Sequence, residues 1–289
     1  MQEQRKAYVY AAAAILFWST VASAFKISLR HLDFVPLLFY ASIVSTAVLF
    51  VFLCIFKKLG LLKSLTKIDI LHSAVLGFLN PFLYYIILFK AYSLLYAQEA
   101  LVLNFTWPVT LVILSILILK QKIALRNIIA ILVSFAGVLV IATKGNVLAF
   151  KSANPLGVFL AVGSSVIWAL FWIYNVKDKT DEVVKLFLNF LFGCGFIFIA
   201  MLFSAKLQMP AFKGVLGSAY IGLFEMGITF VVWLRALKLS ETTAGVSNLI
   251  YLVPFLSVTV IHFAVGEPIF FSTLAGLVLI VAGIILQKL

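Results

Sequence analysis

FVPLLFYASIVSTAVLFVFLCIF, from Phe34 to Phe56, runs for 23 residues without a single Asp, Glu, Lys or Arg. A hydrocarbon core of ~30 Å takes ~20 apolar helical residues to cross, so this stretch is long enough to span a bilayer. Stretches of comparable length and apolarity recur, and ten are placed near residues 7–29, 34–56, 70–92, 97–119, 124–143, 154–175, 183–205, 214–237, 243–264 and 268–287. With 64% hydrophobic and 11% charged residues and a mean hydropathy of +1.19, the chain has too few polar groups to coat a soluble surface. The predicted fold class is an all-α integral membrane protein with ten transmembrane helices.

A net charge of +12 would suit nucleic acid, but Lys and Arg fall in short clusters between apolar segments, not along one polar face. The positive-inside rule accounts for them, and no nucleic-acid partner is expected. On the side holding the N-terminus the loops carry 15 Lys and Arg, against 7 on the other side. Both termini are therefore expected in the cytoplasm, with the chain multi-pass in the cytoplasmic (inner) membrane. The first segment follows Arg5 and Lys6 and contains Ala22-Ser23-Ala24, the outline of a signal peptide. Its apolar stretch is long for an h-region and reappears in the second half, so it is read as a helix. Cys54 and Cys194 lie within apolar segments and are read as buried small apolar residues, with no disulfide framework and no metal spacing.

The chain contains itself twice. Phe89-Lys90-Ala91, Trp107-Pro108, Gln121, Ala130 and Gly137 recur as Leu234-Arg235-Ala236, Val253-Pro254, Glu267, Gly276 and Gly283, and from the prolines onward the offset is a constant 146 residues. Trp18 and Trp168 stand in the first helix of each half. Five helices per unit is an odd number, so the second unit enters the membrane inverted, and Lys90 and Arg235 fall on opposite sides at matching helix ends. Inverted repeats that bind a solute between them near mid-membrane are the architecture of secondary transporters. The two units are 1–148 and 149–289, divided in the loop around Lys144–Asn154.

These residues resemble the EamA family of the drug/metabolite transporter superfamily. The resemblance rests on Trp18 and Trp168, on Lys90-Ala91 and Arg235-Ala236-Leu237, on Pro108 and Pro254, and on Gly266-Glu267. It implies two five-helix repeats and a transport function, with export as the direction. The first half departs from the family at Lys120-Gln121-Lys122, and with Asn104-Phe105-Thr106-Trp107-Pro108 it is similar to aromatic amino acid exporters of the YddG type.

Glu225 is the one acidic residue deep inside an apolar span. A carboxylate at that depth is costly and by default a functional hypothesis, here a proton-coupling candidate; a structural Glu hydrogen-bonded between helices is the alternative. Trp18, Tyr84, Tyr85, Trp107, Trp168, Trp172, Trp233 and Tyr251 include aromatics far from the interfacial belts. They suit the walls of a cavity for an amphipathic solute, or ordinary core packing, which must account for most of the 28 Phe. Asn80, Asn104 and Asn248 are amides at similar depth, able to bind a substrate's amino or carboxyl group or to bond a neighbouring helix. The substrate-binding candidates are Trp18, Asn80, Tyr84, Asn104, Trp107, Trp168, Trp172, Asn248 and Tyr251. Pro108 and Pro254, read with Pro81 as prolines inside helices that leave carbonyls unpaired, are the hinge candidates.

Gly163, Gly193, Gly195, Gly222, Gly227, Gly276 and Gly283 are read as sites of close helix approach. Lys90 and Arg235 form either an anion clamp or a pair of snorkelling ends. The stretch Lys177–Lys185, with Asp178, Asp181 and Glu182, is read as a solvated loop, and His72 and His262 have no metal-ligand partners. An enzyme would need a convergent catalytic set, which is absent, and no phosphate-binding Gly-x4-Gly-Lys-Ser/Thr motif occurs. No cofactor and no metal are expected; the partners are a small-molecule substrate and membrane lipids, and the expected state is a monomer. The expected function is export of small metabolites, foremost aromatic or large apolar amino acids, by alternating access. A drug or other metabolite exporter, or a lipid or lipid-linked sugar flippase of the same superfamily, is the rival.

Overall fold

Inside a bilayer a backbone N–H or C=O finds no water, so each segment must satisfy its own polar groups, and helices do so without partners. The computed structural model describes residues 2–95, 97–143, 145–146, 154–203, 211–266 and 271–288, and no strand occurs among them. The helices are α1 Gln2–Ser28, α2 Phe34–Ile55, α3 Lys67–Gly77, α4 Tyr84–Leu94, α5 Ala97–Asn104, α6 Trp107–Ile118 and α7 Leu125–Ala142. They continue as α8 Pro155–Lys177, α9 Glu182–Phe203, α10 Phe212–Ile221, α11 Ile228–Leu239, α12 Thr243–Ser247, α13 Leu252–Val265 and α14 Phe271–Lys288. Among the described residues seven helical stretches are long and apolar enough to cross a membrane: Gln2–Ser28, Phe34–Ile55, Lys67–Leu94, Pro155–Lys177, Glu182–Phe203, Phe212–Leu239 and Thr243–Ala264. Trp107–Ile118 and Leu125–Val140 are apolar but shorter. The chain is an all-α, multi-span membrane protein. Glu267 and most of the loop Lys144–Asn154 lie outside the described residues.

The prolines break helices one turn upstream of themselves. A proline ring clashes with the carbonyl four residues back, which for Pro81, Pro108 and Pro254 belongs to Gly77, Asn104 and Ile250. Accordingly α3 ends at Gly77, α5 ends at Asn104, and Ile250 lies in a 3₁₀ turn, Asn248–Tyr251. The stretch 97–119 is thus two helices and not one. Pro108 and Pro254 stand in the first turns of α6 and α13, where the missing N–H would have had no helical partner anyway. Pro81 lies within a π-helical turn, Phe78–Leu83. A second π turn, Gly222–Gly227, contains no proline but ends at Gly227 with ψ −86°, and the Thr229 hydroxyl donates to the Phe224 carbonyl there.

Six helix pairs organise the bundle. Helix α1 lies on α11 and α13, α8 lies on α4 and α6, α2 on α9, and α7 on α14. The last of these is a backbone-on-backbone seam. A Cβ placed on Gly137 would come 2.5 Å from the Gly276 carbonyl oxygen, and one on Gly283 would come 2.6 Å from the Ala130 oxygen. Gly222 meets the Ala41 oxygen in the same way, at 2.5 Å, and Gly77 meets the Asn189 oxygen. Gly193 and Gly227 are similarly confined, whereas Gly163 and Gly195 face open space and are not sites of close approach.

The perimeter is apolar, with Leu16, Phe50, Leu117, Phe159 and Phe203 all exposed. Cys54 is exposed and Cys194 half-buried, so these thiols are perimeter residues and not the core residues that apolarity alone implied. Small polar groups lie inside instead, where hydroxyls such as Ser115 donate to the carbonyl one turn back, Leu111, at 2.6 Å.

Gly283→Leu should lower the stability of the purified protein by about 1–3 kcal/mol through overpacking of the seam. Gly195→Ala should be neutral or stabilising, and thermal unfolding in one detergent compares them. Equal melting temperatures for both variants and the parent would show that the seam does not hold the bundle.

Candidate functional site

Near mid-depth, α1, α4, α5, α6, α8, α13 and the π turn Gly222–Gly227 converge on one cavity of ≈ 60 Å³. That is room for a few waters. Its walls include Trp18, Tyr84, Asn104, Trp107, Trp168 and Glu225, together with Phe25, Tyr92, Phe105 and Val253. The rings form a continuous set: Tyr84 and Trp168 lie 4.5 Å apart, Trp18 and Trp168 5.9 Å, and Trp107 and Trp168 6.2 Å. Edge and tilted contacts of this kind suit the ring quadrupoles.

Glu225 sits in the wall with 6% of its surface exposed. The Tyr85 hydroxyl donates to its Oε1 at 2.7 Å, and Trp18 Nε1 donates to its backbone oxygen at 3.3 Å. Both bonds join the first half of the chain to the second. The Tyr84 hydroxyl donates to Asn104 Oδ1 at 3.3 Å, and Asn104 Nδ2 donates to Ser164 Oγ at 3.0 Å. Beside them Thr106 Oγ1 bonds Ser165 Oγ at 2.8 Å. These bonds anchor the broken end of α5 to α8. The Nε1 of Trp168 is buried without a hydrogen-bond partner among the described residues.

The walls beyond this centre, Val21, Ala22 and Phe25 on α1 and Leu88 and Tyr92 on α4, lie farther along helices that run away from the N-terminal face. Toward the N-terminal face the space is filled. Trp172, Trp233 and Phe230 are fully buried there, with Trp233 5.5 Å from Trp18 and 5.8 Å from Trp107, and Phe230 5.3 Å from Trp168.

That same face is tied by polar links between distant segments. Lys58 Nζ lies 2.6 Å from Asp181 Oδ2, His72 Nδ1 3.4 Å from Asp178 Oδ2, and Lys238 Nζ 3.4 Å from Glu182 Oε1. Gln4 Oε1 accepts from the Glu241 N–H at 2.9 Å, and Thr243 Oγ1 donates to Ser115 Oγ at 2.7 Å. Lys185 is completely buried and donates to the carbonyls of Asn175 and Asp178 at 2.6 and 2.9 Å. The stretch Lys177–Lys185 is therefore solvated only at Lys177 and Lys179, while Asp178, Asp181, Glu182 and Lys185 form a packed polar seam. Burial pushes the Asp178 carboxyl up, but the Thr180 N–H and the Lys185 charge outweigh it and hold the group below the usual carboxylate value. Asp181 is likewise held low, because Lys58 and the N–H groups of Val183 and Val184 outweigh burial.

Of the residues singled out from sequence, the structure gathers Trp18, Tyr84, Asn104, Trp107, Trp168 and Glu225 around one cavity. Trp172 lies behind Trp168, at 5.5 Å, and not in the wall. Asn80 is buried in its π turn with both amide atoms unpartnered among the described residues. Asn248 Nδ2 donates to the Gly283 carbonyl at 3.2 Å, so it bonds a neighbouring helix. Tyr251 packs on Phe135, ring centroids 6.4 Å apart. Arg235 lies over the Tyr10 ring at 5.8 Å, and Lys90 is exposed. Tyr85, one aromatic among many in the sequence, proves to be the partner of Glu225. Among the described residues no three His, Cys, Asp or Glu side chains gather as a metal site.

The EamA-like transporter family matches the chain twice, over residues 5–143 and over residues 155–287. A protein of Archaeoglobus fulgidus named an uncharacterized transporter is 28% identical over 286 residues, spanning 97% of this chain and 96% of its own. One of Clostridium kluyveri, also named an uncharacterized transporter, is 25% identical over 295 residues, spanning 98% and 93%. A solved crystal structure at 20% identity has the same fold, with a TM-score of 0.80 over 98% of this chain and 96% of that one. These names state no substrate.

The low carboxyl values at Asp178 and Asp181 fix a pH dependence. A depressed folded-state pKa contributes stability above the unfolded value, near ~4, and that contribution is lost as pH falls through the folded value. The melting temperature of the parent should therefore fall more steeply below about pH 5 than that of the Asp178→Asn, Asp181→Asn double variant. Parallel curves would mean that the polar seam does not stabilise this face.

Proposed function

The chain belongs to the EamA-like transporter family and is a secondary transporter of small molecules, not an enzyme; from that premise we propose that two inverted five-helix repeats, 1–148 and 149–289, export an amphipathic metabolite by alternating access. The class put forward is amino acids with aromatic or large apolar side chains. What carries the reading is the cavity, where Trp18 and Trp168, matched positions of the two halves, face each other across a wall that holds Glu225.

Packing supports the inverted repeat. The two family matches divide the chain near its middle. Under the 146-residue offset, the contact of Gly137 with Gly276 becomes that of Gly283 with Ala130, and the Ser134 hydroxyl donates to the carbonyl of its own counterpart, Ile280. The pairing of α1 with α11 and α13 is answered by that of α8 with α4 and α6. Each half is thus packed mainly on the other.

With both termini in the cytoplasm, the cavity leads outward and the polar seam with Trp172 and Trp233 closes the inner side. Export requires the reverse arrangement, in which that seam parts and the outer ends of α1, α4 and α8 close. The breaks ahead of Pro108 and Pro254 are the hinges, because each proline lacks the N–H that would bond the carbonyl four residues back. A cavity of ≈ 60 Å³ is far below the roughly 300 Å³ or more of a site that holds a drug-sized ligand. Occupation therefore requires the walls to move apart. Glu225, paired with Tyr85, is the proton-coupling candidate.

Efflux of labelled amino acids from proteoliposomes tests the reading. Trp107→Ala and Trp168→Ala should each weaken apparent affinity roughly threefold to tenfold, the worth of one aromatic contact. Glu225→Gln should flatten the pH dependence of efflux. Unchanged affinity in both Trp variants would remove the site from this cavity, and an unchanged pH profile in Glu225→Gln would remove the proton.

A further inference from the structure

The cavity is unbalanced in charge. Among the described residues its walls carry one carboxylate, Glu225, and no Lys, Arg or His. Of the basic groups on the lining helices, Arg5, Lys6, Lys90 and Lys177 are exposed, and Lys26 and His262 are half-buried outside the lining; on the adjacent α9 and α11, Lys185 bonds two carbonyls, Arg235 lies on Tyr10 and Lys238 on Glu182. Around the carboxylate stand the rings of Trp18, Tyr84, Trp107 and Trp168.

An aromatic face attracts a cation that comes within ~6 Å of its centroid, by about 0.5–2 kcal/mol and most when water is excluded. A carboxylate brought into the same space meets the opposite conditions. It is desolvated beside Glu225, and like charges repel at low effective dielectric. The donors able to receive it are few. Both ends of the Asn104 amide are engaged, with Tyr84 and Ser164, and the hydroxyl of Tyr85 is engaged with Glu225. The unpartnered indole N–H of Trp168 is one neutral donor, which does not offset removal of a carboxylate from water. Oε1 of Glu225 is taken by Tyr85, which leaves Oε2 to a ligand.

We propose that this site reads the positive end of its ligand: it takes organic amines with an aromatic or branched apolar body, and a carboxylate on the same molecule weakens binding. The inference rests on the transporter reading of this cavity and shifts its substrate class from amino acids to amines of the same apolar body, with amino acids as the weaker ligands.

The test is calorimetric titration of the purified full chain in nanodiscs with four matched probes: 2-phenylethylamine, phenylalanine, 3-phenylpropionate and 2-phenylethanol. The amine should bind about tenfold or more tighter than phenylalanine, which shares its ammonium but brings a carboxylate beside Glu225, and about tenfold tighter than the alcohol, the worth of one desolvated cation–π contact, with the carboxylate weakest. In Glu225→Gln the amine should lose about tenfold or more while the alcohol is unchanged. The ranking on the parent protein stands without the variant, so misfolding of Glu225→Gln leaves the inference open to refutation. Phenylalanine or phenylpropionate binding as tightly as the amine overturns it, as does failure of the amine to bind. Efflux of the same probes separates the two readings. A carrier that releases them in the wrong order refutes the charge selectivity alone, whereas ordered binding with no release of any solute above protein-free vesicles refutes transport and leaves the selectivity standing.

Discussion

A helix interrupted within hydrocarbon releases backbone groups that lipid cannot bond, and this single cost governs where the chain departs from regular helix. The interruptions at Phe78–Leu83, Phe105–Thr106, Gly222–Gly227 and Asn248–Tyr251 consist of buried and half-buried residues, with Phe78 the exposed exception. Side chains reach or tie down two of them: Trp18 of α1 donates to the Glu225 carbonyl, Thr229, five residues on in the same stretch, donates to the Phe224 carbonyl, and Asn104 and Thr106 hold serines of α8. Irregular backbone and polar side chains have been concentrated in one place, and the cavity is the space that they enclose.

Much of this was legible in the sequence because the relevant rules are local. Apolar length marks the spans, and the prolines mark where helices are disturbed, but the sequence places Pro81 and Pro108 inside continuous segments, whereas α3 and α5 end one turn ahead of them. The direction in which a side chain points is a different matter. In a soluble helix polarity separates inside from outside, but here lipid and interior are both apolar and the pattern carries little facing information. That is why Cys54 was read as buried, and why Gly163 and Gly195 looked like packing glycines beside the truly confined Gly222 and Gly283. The bond between Tyr85 and Glu225 joins residues 140 apart, and nothing local announces it. The polar seam was hidden for the same reason: Lys58 and Asp181, in separate loops, read singly as solvated charges.

The two faces of the molecule are held by unlike forces. On the N-terminal face, ion pairs and buried hydrogen bonds, among them the buried Lys185, depend on charge and on geometry good enough to offset desolvation. On the opposite side, the cavity walls meet through rings and aliphatic groups with little directional preference. A structure closed by directional contacts on one side and by apolar ones on the other has different requirements for opening each, and ionic strength acts on only one of them.

All five tryptophans of the chain belong to one connected set of rings. No indole elsewhere contributes a background signal, so the tryptophan emission of this protein, excited selectively over its ten tyrosines, originates at the cavity and its floor. Any change in the wetness or spacing of that region is written directly into the ultraviolet spectrum, and the molecule carries its own optical label at the place where its mechanism is expected to act.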